Sequence, residues 1–179
     1  MKVKISAGDV EVRPLKGKDI AEVGFETLLK KPEKIAIRCV EKINEEAVNL
    51  NVFNISQWTE RDLNKVVAAA LKESKLDINA ASDGELYTVL EKTDDFITVS
   101  FDGKTYKLKM LTVADTMSLP KSRNEGEQLL RKLSKSLVEV NGKKAKVNYE
   151  ELLDWEAGIL VALAGAYGEL MNEGVDEVF

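Results

Sequence analysis

The stretch "ITVSFDGKTYKLKML", residues 97–111, sets the fold class of this chain. Apolar residues alternate with polar ones on both sides of a single pair, Asp102-Gly103. The alternating positions are Ile97, Val99 and Phe101 before the pair and Tyr106, Leu108 and Met110 after it. An Asp-Gly pair between two alternating runs is the strongest short-range signal for a β-hairpin. The stretch therefore predicts two antiparallel strands joined by a tight turn.

An earlier stretch, "VKISAGDVEVRPL" at 3–15, carries the same pattern 96 residues upstream. Its apolar positions fall on those of the later hairpin: Val3 on Val99, Ile5 on Phe101, Val10 on Tyr106, Val12 on Leu108 and Leu15 on Leu111. Asp19 falls on Asp115 at the same offset. This shared spacing predicts an internal repeat. The alternative is a coincidence between two ordinary α+β stretches.

Similar elements are predicted after each hairpin. The stretches "PEKIAIRCVEKIN" (32–44) and "GEQLLRKLSKSL" (126–137) carry apolar residues at helical spacing. An extended or irregular piece follows each helix, and the later piece contains Asn141-Gly142, a signal for a type I′ turn. A closing helix ends each unit, and it begins at a residue that resembles a helix cap, Thr59 in the first unit and Asn148 in the second.

These patterns predict an α+β protein, mostly helical, built from two tandem hairpin-plus-helices units with small antiparallel β-hairpins. We expect an N-terminal unit over 1–74, a partly helical connector over 75–95, and a C-terminal unit with an acidic end over 96–179. Two such units can form separate lobes or share one core, and the sequence does not decide between these arrangements.

The connector is expected to contain one short helix. Ser82 and Glu85 have the spacing of a capping box, in which two side chains satisfy backbone N–H groups at a helix start. The helix would carry Leu86, Val89 and Leu90. The connector is therefore predicted to be partly structured.

Composition limits the chemistry that the chain can perform. The 179 residues include no histidine and one cysteine, so a Ser-His-Asp triad, an intramolecular disulfide and a cysteine-rich metal site are excluded. Cys39 lies within an apolar helical pattern, which predicts a buried, inert thiol. A net charge of −5 without a basic face argues against nucleic-acid binding. The N-terminal residues lack an apolar signal region, so we expect a cytoplasmic protein.

Carboxylates are the remaining candidates for catalysis or metal binding. Asp94 and Asp95 are adjacent, which can suit a divalent cation, but such a pair before a strand is typical of a solvated turn. Asp19 and Asp115 recur at the same place in the two units, and we expect helix capping there rather than a catalytic pair. Phosphate-binding loops and hydrolase elbows are missing from the sequence. We therefore expect no enzyme, no cofactor, no metal and no small-molecule substrate.

The apolar stretch "GILVALAGAYG", residues 158–168, predicts a helix that is covered on most sides. The uncharged residues between Glu156 and Glu169 extend about 18 Å as a helix, whereas a bilayer core is about 30 Å thick, so we expect no membrane span. Small residues at spacings of three and four favour a closely packed partner helix: Gly158, Ala162, Gly165 and Gly168. The expected partner is "VVAAAL" (66–71), and the alternative is a helix from another chain.

Partner binding is expected along this helix and at the C-terminal end. The candidate residues are Gly158, Ile159, Ala162, Leu163, Gly165 and Tyr167 in the helix, with Val178 and Phe179 in the acidic "NEGVDEVF" (172–179). The C-terminal residues have three interpretations, because they can dock on the body, bind a partner or fray.

Two segments resemble small assembly proteins of tailed bacteriophages, namely the tail assembly chaperones and the related baseplate assembly proteins. The segments are "VRPLKGKDIAEV" (12–23) and "LKMLTVADTMSL" (108–119), and a leucine-rich helix, "VNG" and a closing helix follow the second one. An L-T-x-x-D signature carries the match: Leu111, Thr112 and Asp115 fit it, and Leu15 and Asp19 fit it more loosely. The resemblance covers roughly half of the chain.

The resemblance implies a non-enzymatic chaperone that holds a tape-measure or other tail protein in the host cytoplasm during tail assembly. Some baseplate assembly relatives carry a zinc-binding cysteine cluster; this chain has Cys39 alone, so no metal is implied. The alternatives are a structural subunit retained in the virion tail or baseplate, a small metal enzyme that uses Asp94 or Asp115, and a host adaptor domain. Self-association into a homo-oligomer is a further expectation.

Overall fold

The computed structural model describes residues 1–82 and 85–172, and it has a mixed α+β fold. Those residues form ten helices and two antiparallel sheets, with 48% of the chain helical and 24% in strands. The α+β class predicted from the sequence is therefore confirmed.

The elements follow one another in a similar order on either side of the connector. The first part contains β1 (Lys2–Ile5), β2 (Gly8–Val12), α1 (Gly17–Val23), α2 (Phe25–Lys30), α3 (Pro32–Cys39), β3 (Val40–Ile43), β4 (Glu46–Ala47), α4 (Val52–Ile55) and α5 (Glu60–Glu73). The connector contains α6 (Ile78–Ser82) and β5 (Thr88–Lys92). The later part contains β6 (Phe96–Phe101), β7 (Lys104–Lys109), α7 (Val113–Met117), α8 (Glu125–Ser136), β8 (Leu137–Val140), β9 (Lys143–Lys144), α9 (Tyr149–Leu153) and α10 (Ala157–Asn172).

The hairpin predicted over 97–111 is formed by β6 and β7. Asp102 and Gly103 have φ angles of 49° and 72°, the left-handed geometry that a two-residue hairpin turn requires. The alternating residues bury one face of the pair: Ile97, Val99, Phe101, Tyr106 and Leu108. The earlier hairpin forms from β1 and β2, in which Val3 pairs with Val10.

After the helices that follow each hairpin, the chain returns to the sheet and adds a strand beside the second strand of the hairpin. The two sheets have the orders β1-β2-β3-β4 and β5-β6-β7-β8-β9. The returning strands give the pairs Val10–Ile43 and Val12–Val40 in the first sheet and Tyr106–Val140 and Leu108–Leu137 in the second. In both sheets a register shift lies immediately before the second of these pairs.

The two helices predicted over 32–44 and 126–137 end earlier than their apolar spacing indicates. They end at Cys39 and Ser136, and the apolar residues that follow belong to the strands β3 and β8. Local spacing does not separate the two states here, because a short apolar run fits either a helix or a strand. Pairing with β2 or β7 decides the outcome, since it buries Val40 and supplies the backbone hydrogen bonds.

A turn that the sequence does not predict follows β3. Asn44 and Glu45 have φ angles of 51° and 68°, close to the 52° and 71° of Asn141 and Gly142 in the predicted turn after β8. In both turns the asparagine Oδ1 accepts a hydrogen bond of 3.0 Å from a backbone N–H of the preceding hairpin. Glu45 stands where the later turn has glycine, and glutamate rarely adopts this left-handed conformation. The glycine that marks a type I′ turn is therefore missing from the first turn.

The helix predicted over Leu86, Val89 and Leu90 is wrong. Val89 and Leu90 lie in β5, an edge strand that pairs antiparallel with β6. The connector is helical earlier, at α6, where Asp77 Oδ1 accepts hydrogen bonds from two backbone N–H groups of the first turn. Tyr, Thr and Val favour strands, and an open edge of β6 beside this segment provides the pairing partner.

One continuous cluster of buried apolar side chains draws on both sides of the connector. α5 packs on α3, β1 and β2, while α10 packs on α8, β6 and β7, and α1 joins the two groups by packing on α8 and α9. Fully buried members of the cluster include Ile20, Val66, Leu108 and Leu163. The two parts of the chain therefore share one core.

The predicted contact between α10 and "VVAAAL" is wrong. α5 buries its apolar face against α3, β1 and β2, and α10 buries its own against β6, β7 and α8, so the two helices do not pack side by side. They meet end to end, where the Gly158 N–H donates a hydrogen bond of 2.9 Å to Ser74 O. Among the helices of the described residues, none combines the length and apolar content that a membrane crossing needs.

Candidate interaction surfaces

Asp19 and Asp115 hold the starts of α1 and α7 in the same way. Asp19 Oδ2 accepts a hydrogen bond of 2.9 Å from Lys16 N, and Asp115 Oδ2 accepts one of 3.1 Å from Thr112 N. Each aspartate is the third residue of its helix, so its carboxylate reaches back to the residue that precedes the helix. Both carboxylates therefore satisfy a backbone N–H at a helix start.

The surroundings of the two carboxylates differ. Asp19 is buried and binds the guanidinium of Arg13 through two hydrogen bonds of 2.8 Å, which raise the pKa of Arg13. Asp115 is partly exposed and lies 3.7 Å from the ammonium of Lys109 and 3.8 Å from that of Lys135. The backbone hydrogen bond at the start of α7 is the main cause that lowers the pKa of Asp115. Each carboxylate thus has its own set of cationic neighbours.

Thr59 and Asn148 stand immediately before α5 and α9. Thr59 Oγ1 accepts a hydrogen bond of 3.1 Å from Asp62 N, and Asn148 Oδ1 accepts one of 2.9 Å from Glu151 N. The single closing helix predicted after Asn148 is instead two helices, because α9 ends at Leu153 and α10 begins four residues later. Asn148 therefore caps the short α9 and does not cap α10.

The remaining chemical candidates are scattered. Asp94 and Asp95 are exposed in the turn between β5 and β6. Cys39 is buried, and burial raises the pKa of its thiol to about 12. In the described ranges, no group of three or more Asp, Glu, Cys or His side chains is arranged to hold a metal ion.

Most of the predicted partner-binding residues of α10 face the interior of this chain. Gly158, Ala162, Leu163 and Tyr167 are buried, and Ile159 is half-buried. Gly158 lies against the backbone of Ser74 and Lys75, and α10 packs on β6, β7 and α8. The buried candidates are therefore core residues in this chain rather than surface residues. Val178 and Phe179, the other two candidates, lie outside the described residues.

The opposite side of α10 is partly exposed and carries no charge between Glu156 and Glu169. Val161, Ala164 and Gly168 are half-buried and Gly165 is exposed. The pairs 161–164 and 165–168 are three residues apart and the pairs 161–165 and 164–168 are four apart, so all four positions lie on one side of the helix. A Cβ atom added to Gly168 would meet no atom within 4 Å. The small residues therefore leave a shallow apolar strip on the outside of the molecule.

The far end of this strip is fixed by polar contacts from the connector. Glu169 accepts a hydrogen bond of 2.9 Å from the hydroxyl of Tyr87 and one of 3.2 Å from the ammonium of Lys92. Burial is the main cause that raises the pKa of Tyr87 to about 12. A Cβ atom on Gly165 would lie 2.9 Å from Cε1 of the same tyrosine, so the ring covers one flank of the strip.

Two further apolar surfaces are not indicated by the sequence patterns. Val52 and Phe53 on α4 are 57% and 72% exposed, and Val113 and Met117 on α7 are 76% and 81% exposed. These are the four most exposed large apolar side chains among the described residues. Val113 and Met117 are four residues apart and therefore share one side of α7. We call the α4 pair the α4 surface and the α7 pair the α7 surface.

Three glycines bring the two sides of the connector into backbone contact. A Cβ atom would lie 2.0 Å from Leu152 O at Gly17, 2.0 Å from Ile20 O at Gly126 and 2.5 Å from Ser74 O at Gly158. Such separations leave no room for a side chain, so these close approaches require glycine. Two hydrogen bonds of 2.9 Å, from Gly17 N to Trp155 O and from Ala157 N to Leu15 O, join the same elements.

In comparisons with known proteins, no family model, curated protein or solved structure matches this chain.

Proposed function

We propose that this chain is a non-enzymatic assembly protein of a tailed bacteriophage, which binds a helical segment of a tape-measure or other tail protein in the host cytoplasm. The observation that carries the proposal is the partly exposed, uncharged side of α10, where Val161, Ala164, Gly165 and Gly168 form a strip. Small side chains allow a partner helix to approach closely. The L-T-x-x-D signature at Leu111 adds the resemblance to tail assembly chaperones.

The tandem arrangement of the chain belongs to the same proposal. We infer that 1–74 and 96–179 are two copies of one hairpin-plus-helices unit, joined by the connector 75–95. The support is the equal register of the returning strands, the two asparagine turns and the two aspartates that hold α1 and α7. Trp58 before α5 and Trp155 before α10 are 97 residues apart, as are Asn44 and Asn141 of the two turns.

A structural subunit retained in the tail or baseplate is the second candidate function. The exposed α4 and α7 surfaces favour it, because a subunit of a particle needs contacts with its neighbours as well as with a client. Mass spectrometry of purified particles separates the two functions: a chaperone is absent from the particle and a subunit is present. A metal enzyme based on Asp115 has less support, since its carboxylate is engaged by the start of α7 and lies near two lysines.

Co-expression with the tape-measure protein of the same genome tests the proposal. The tagged wild-type chain is expected to capture that protein, and Val161→Glu or Gly168→Trp is expected to abolish capture, because each change places a charge or a bulky ring on the strip. Both positions are accessible, so the variants should keep the circular dichroism spectrum of the wild type. The matched control is Val52→Glu, an equivalent apolar-to-acidic change on the α4 surface. No capture by the wild type, or equal capture by the strip variants, would contradict the proposal.

A further inference from the structure

We propose that a cleft beside the start of α10 binds a small molecule that carries a carboxylate on an aromatic body. The cleft lies where the segment after α5, the strands β7 and β8 and the segment before α10 meet, and its volume is about 290 Å³. Clefts between two parts of a chain are common sites for small ligands, and this volume is near the lower end of their usual range of about 300–1,000 Å³. The inference does not depend on the client that binds the α10 strip.

The hydroxyl of Tyr106 is the observation that points to a ligand. Tyr106 lines the cleft with only 2% of its surface exposed, and its hydroxyl forms no hydrogen bond with any group in residues 1–82 and 85–172. The charges that act on the pKa of this hydroxyl belong to Asp102, Lys75 and Glu156, and the last two line the cleft, so the hydroxyl end of the ring lies there. A buried polar group without a partner costs free energy. The cleft is therefore the place from which a partner is supplied.

The fold itself does not require this hydroxyl. At an offset of 96 residues, Val10 occupies the place of Tyr106 in the earlier hairpin and is fully buried. Burial is the main cause that raises the pKa of Tyr106, so the hydroxyl keeps its proton at neutral pH. It is therefore a hydrogen-bond donor for an acceptor atom in the cleft, such as a carboxylate oxygen.

One charged group of the cleft has no ion pair. Lys75 bridges two carboxylates, with its ammonium 2.6 Å from Asp102 Oδ2 and 3.1 Å from Glu156 Oε2. Glu156 Oε2 is closed off from solvent, so a ligand does not reach that oxygen. Lys104 also lines the cleft, is exposed, and has no carboxylate partner within the part of the chain that the structure describes. The four charges sum to zero, and the one left without a partner is a cation, which favours an anionic group on the ligand.

Apolar and aromatic side chains form the rest of the cleft. Trp155 is half-buried, and its ring centroid lies 6.1 Å from that of Tyr106 with the two planes tilted by 57°. Val140 and Ile159 are also half-buried and line the same space. An aromatic ligand gains contacts with these walls, because aromatic rings pack well against other rings, either offset-stacked or edge to face.

Backbone contacts hold the walls of the cleft in place. Lys75 has a φ angle of 55°, a left-handed conformation that is uncommon for a residue other than glycine. The hydrogen bond of 2.9 Å from Gly158 N to Ser74 O ties the segment after α5 to the start of α10. Residues in such sparsely populated conformations cluster at ligand sites, and a cleft that is already ordered loses less entropy when a ligand binds.

Nuclear magnetic resonance titration of the isotope-labelled full chain tests the inference, with benzoate, phenylacetate and indoleacetate as the probes. At least one of these probes is expected to shift the indole N–H signal of Trp155 and the backbone amide signal of Lys104 in a saturable manner. The indole N–H of Trp58, which does not line the cleft, is the internal reference and should not move. Phenethylamine and acetate, which keep only the ring or only the carboxylate, are expected to bind more weakly.

Two variants separate the contributions of the cleft. Lys104→Glu is expected to weaken binding at least about tenfold, because it places an anion where the ligand needs a cation. Tyr106→Phe is expected to weaken binding about threefold to tenfold, because one hydrogen bond to the ligand is lost. Thermal melting should be close to that of the wild type, since Lys104 is exposed and the Tyr106 hydroxyl has no partner in the described part of the chain. The matched control is Lys4→Glu, the same change at an exposed lysine of β1, which should bind the probes normally.

Several results would overturn the inference. They are the absence of a saturable shift at Trp155 with all the probes, equal binding of phenethylamine and phenylacetate, and unchanged binding by Lys104→Glu or Tyr106→Phe. A hydroxyl that contacts only solvent water would give the last of these results for Tyr106→Phe. Val161→Glu, the strip variant, should bind the probes as the wild type does, so a failure of this inference and a failure of the proposed client site are distinguishable.

Discussion

The helices α1 and α7 begin alike and differ in what covers them. Each follows a hairpin strand, and each is held at its start by an aspartate that accepts a backbone hydrogen bond. α1 is packed on α8 and α9, whereas α7 exposes Val113 and Met117. The first residue of the helix differs, glycine at 17 and valine at 113. The shared aspartate thus holds the start of each helix. Whether another element packs on the helix depends on whether its first residue lets a neighbouring backbone approach.

The largest expected effect comes from filling the close approach of α1. Gly17→Ala should lower the free energy of unfolding by about 3 kcal/mol, because the added Cβ would lie 2.0 Å from Leu152 O, a backbone atom that cannot rotate away. Val113→Ala, at the equivalent position of α7, should change it by no more than about 0.5 kcal/mol. Urea denaturation measures both. Equal losses for the two variants would show that cover does not distinguish the helices.

The two aspartates should also differ in how much each contributes to the free energy of unfolding. Asp19→Asn should cost about 2 kcal/mol, because it removes the negative partner of Arg13, a guanidinium that is only 19% exposed. Asp115→Asn should cost less, since Lys109 and Lys135 are more exposed and water can solvate them. Denaturation at neutral pH compares the two variants. A larger loss at position 115 would contradict the assigned surroundings.

The first turn of α8, on which α1 rests, should make stability depend on pH. Glu127 is buried, and hydrogen bonds from the backbone of Arg123 and from the guanidinium groups of Arg131 and Arg123 lower its pKa from 4.5 to about 2. Because the pKa is lower in the folded chain, the charged carboxylate stabilises the fold above about pH 4.5, and this contribution is lost as the pH falls toward about 2.

Glu127→Gln isolates that contribution. The wild type should be more stable than the variant at neutral pH, and the difference in unfolding free energy should shrink as the pH falls through the acid range. Denaturation curves at a series of pH values measure it, with Glu125→Gln, an exposed acid of the same turn, as the control. A difference that is constant with pH would argue against a charged Glu127 in the folded chain.

The comparison of α1 with α7 also shows what sequence can and cannot predict. Both hairpins could be predicted because the period-two alternation is a local signal, and Asp102-Gly103 marks the turn of the later hairpin. β3 and β5 were not, because Val40 and Val89 have spacings that also fit a helix, and their state depends on partner strands elsewhere in the chain. The turn at Asn44 lacked the glycine that would have marked it.

Interaction surfaces were harder to predict than the strands. The apolar stretch of α10 predicts partner binding at Leu163 and Ala162, which are core residues, while the exposed Val113 and Phe53 lie in short helices with no periodic pattern. Exposure depends on what packs against a helix, and packing partners are not encoded in a short window. One signal was present in the sequence: when the two hairpins are aligned at an offset of 96 residues, Val113 falls on Gly17.

The smallest expected effect applies the same contrast within one helix. Gly158, at the covered start of α10, has no room for a Cβ atom, whereas Gly168 has no atom within 4 Å of that position. Gly168→Ala should therefore raise the free energy of unfolding by about 0.5–1 kcal/mol, since alanine is the better helix former and meets no obstacle. Gly158→Ala should lower it, because the added atom would meet Lys75 O. Thermal and urea denaturation of the two variants give the sign directly, and a loss at position 168 would mean that the outer side of α10 is covered in the isolated protein, which would also remove the strip as a binding surface.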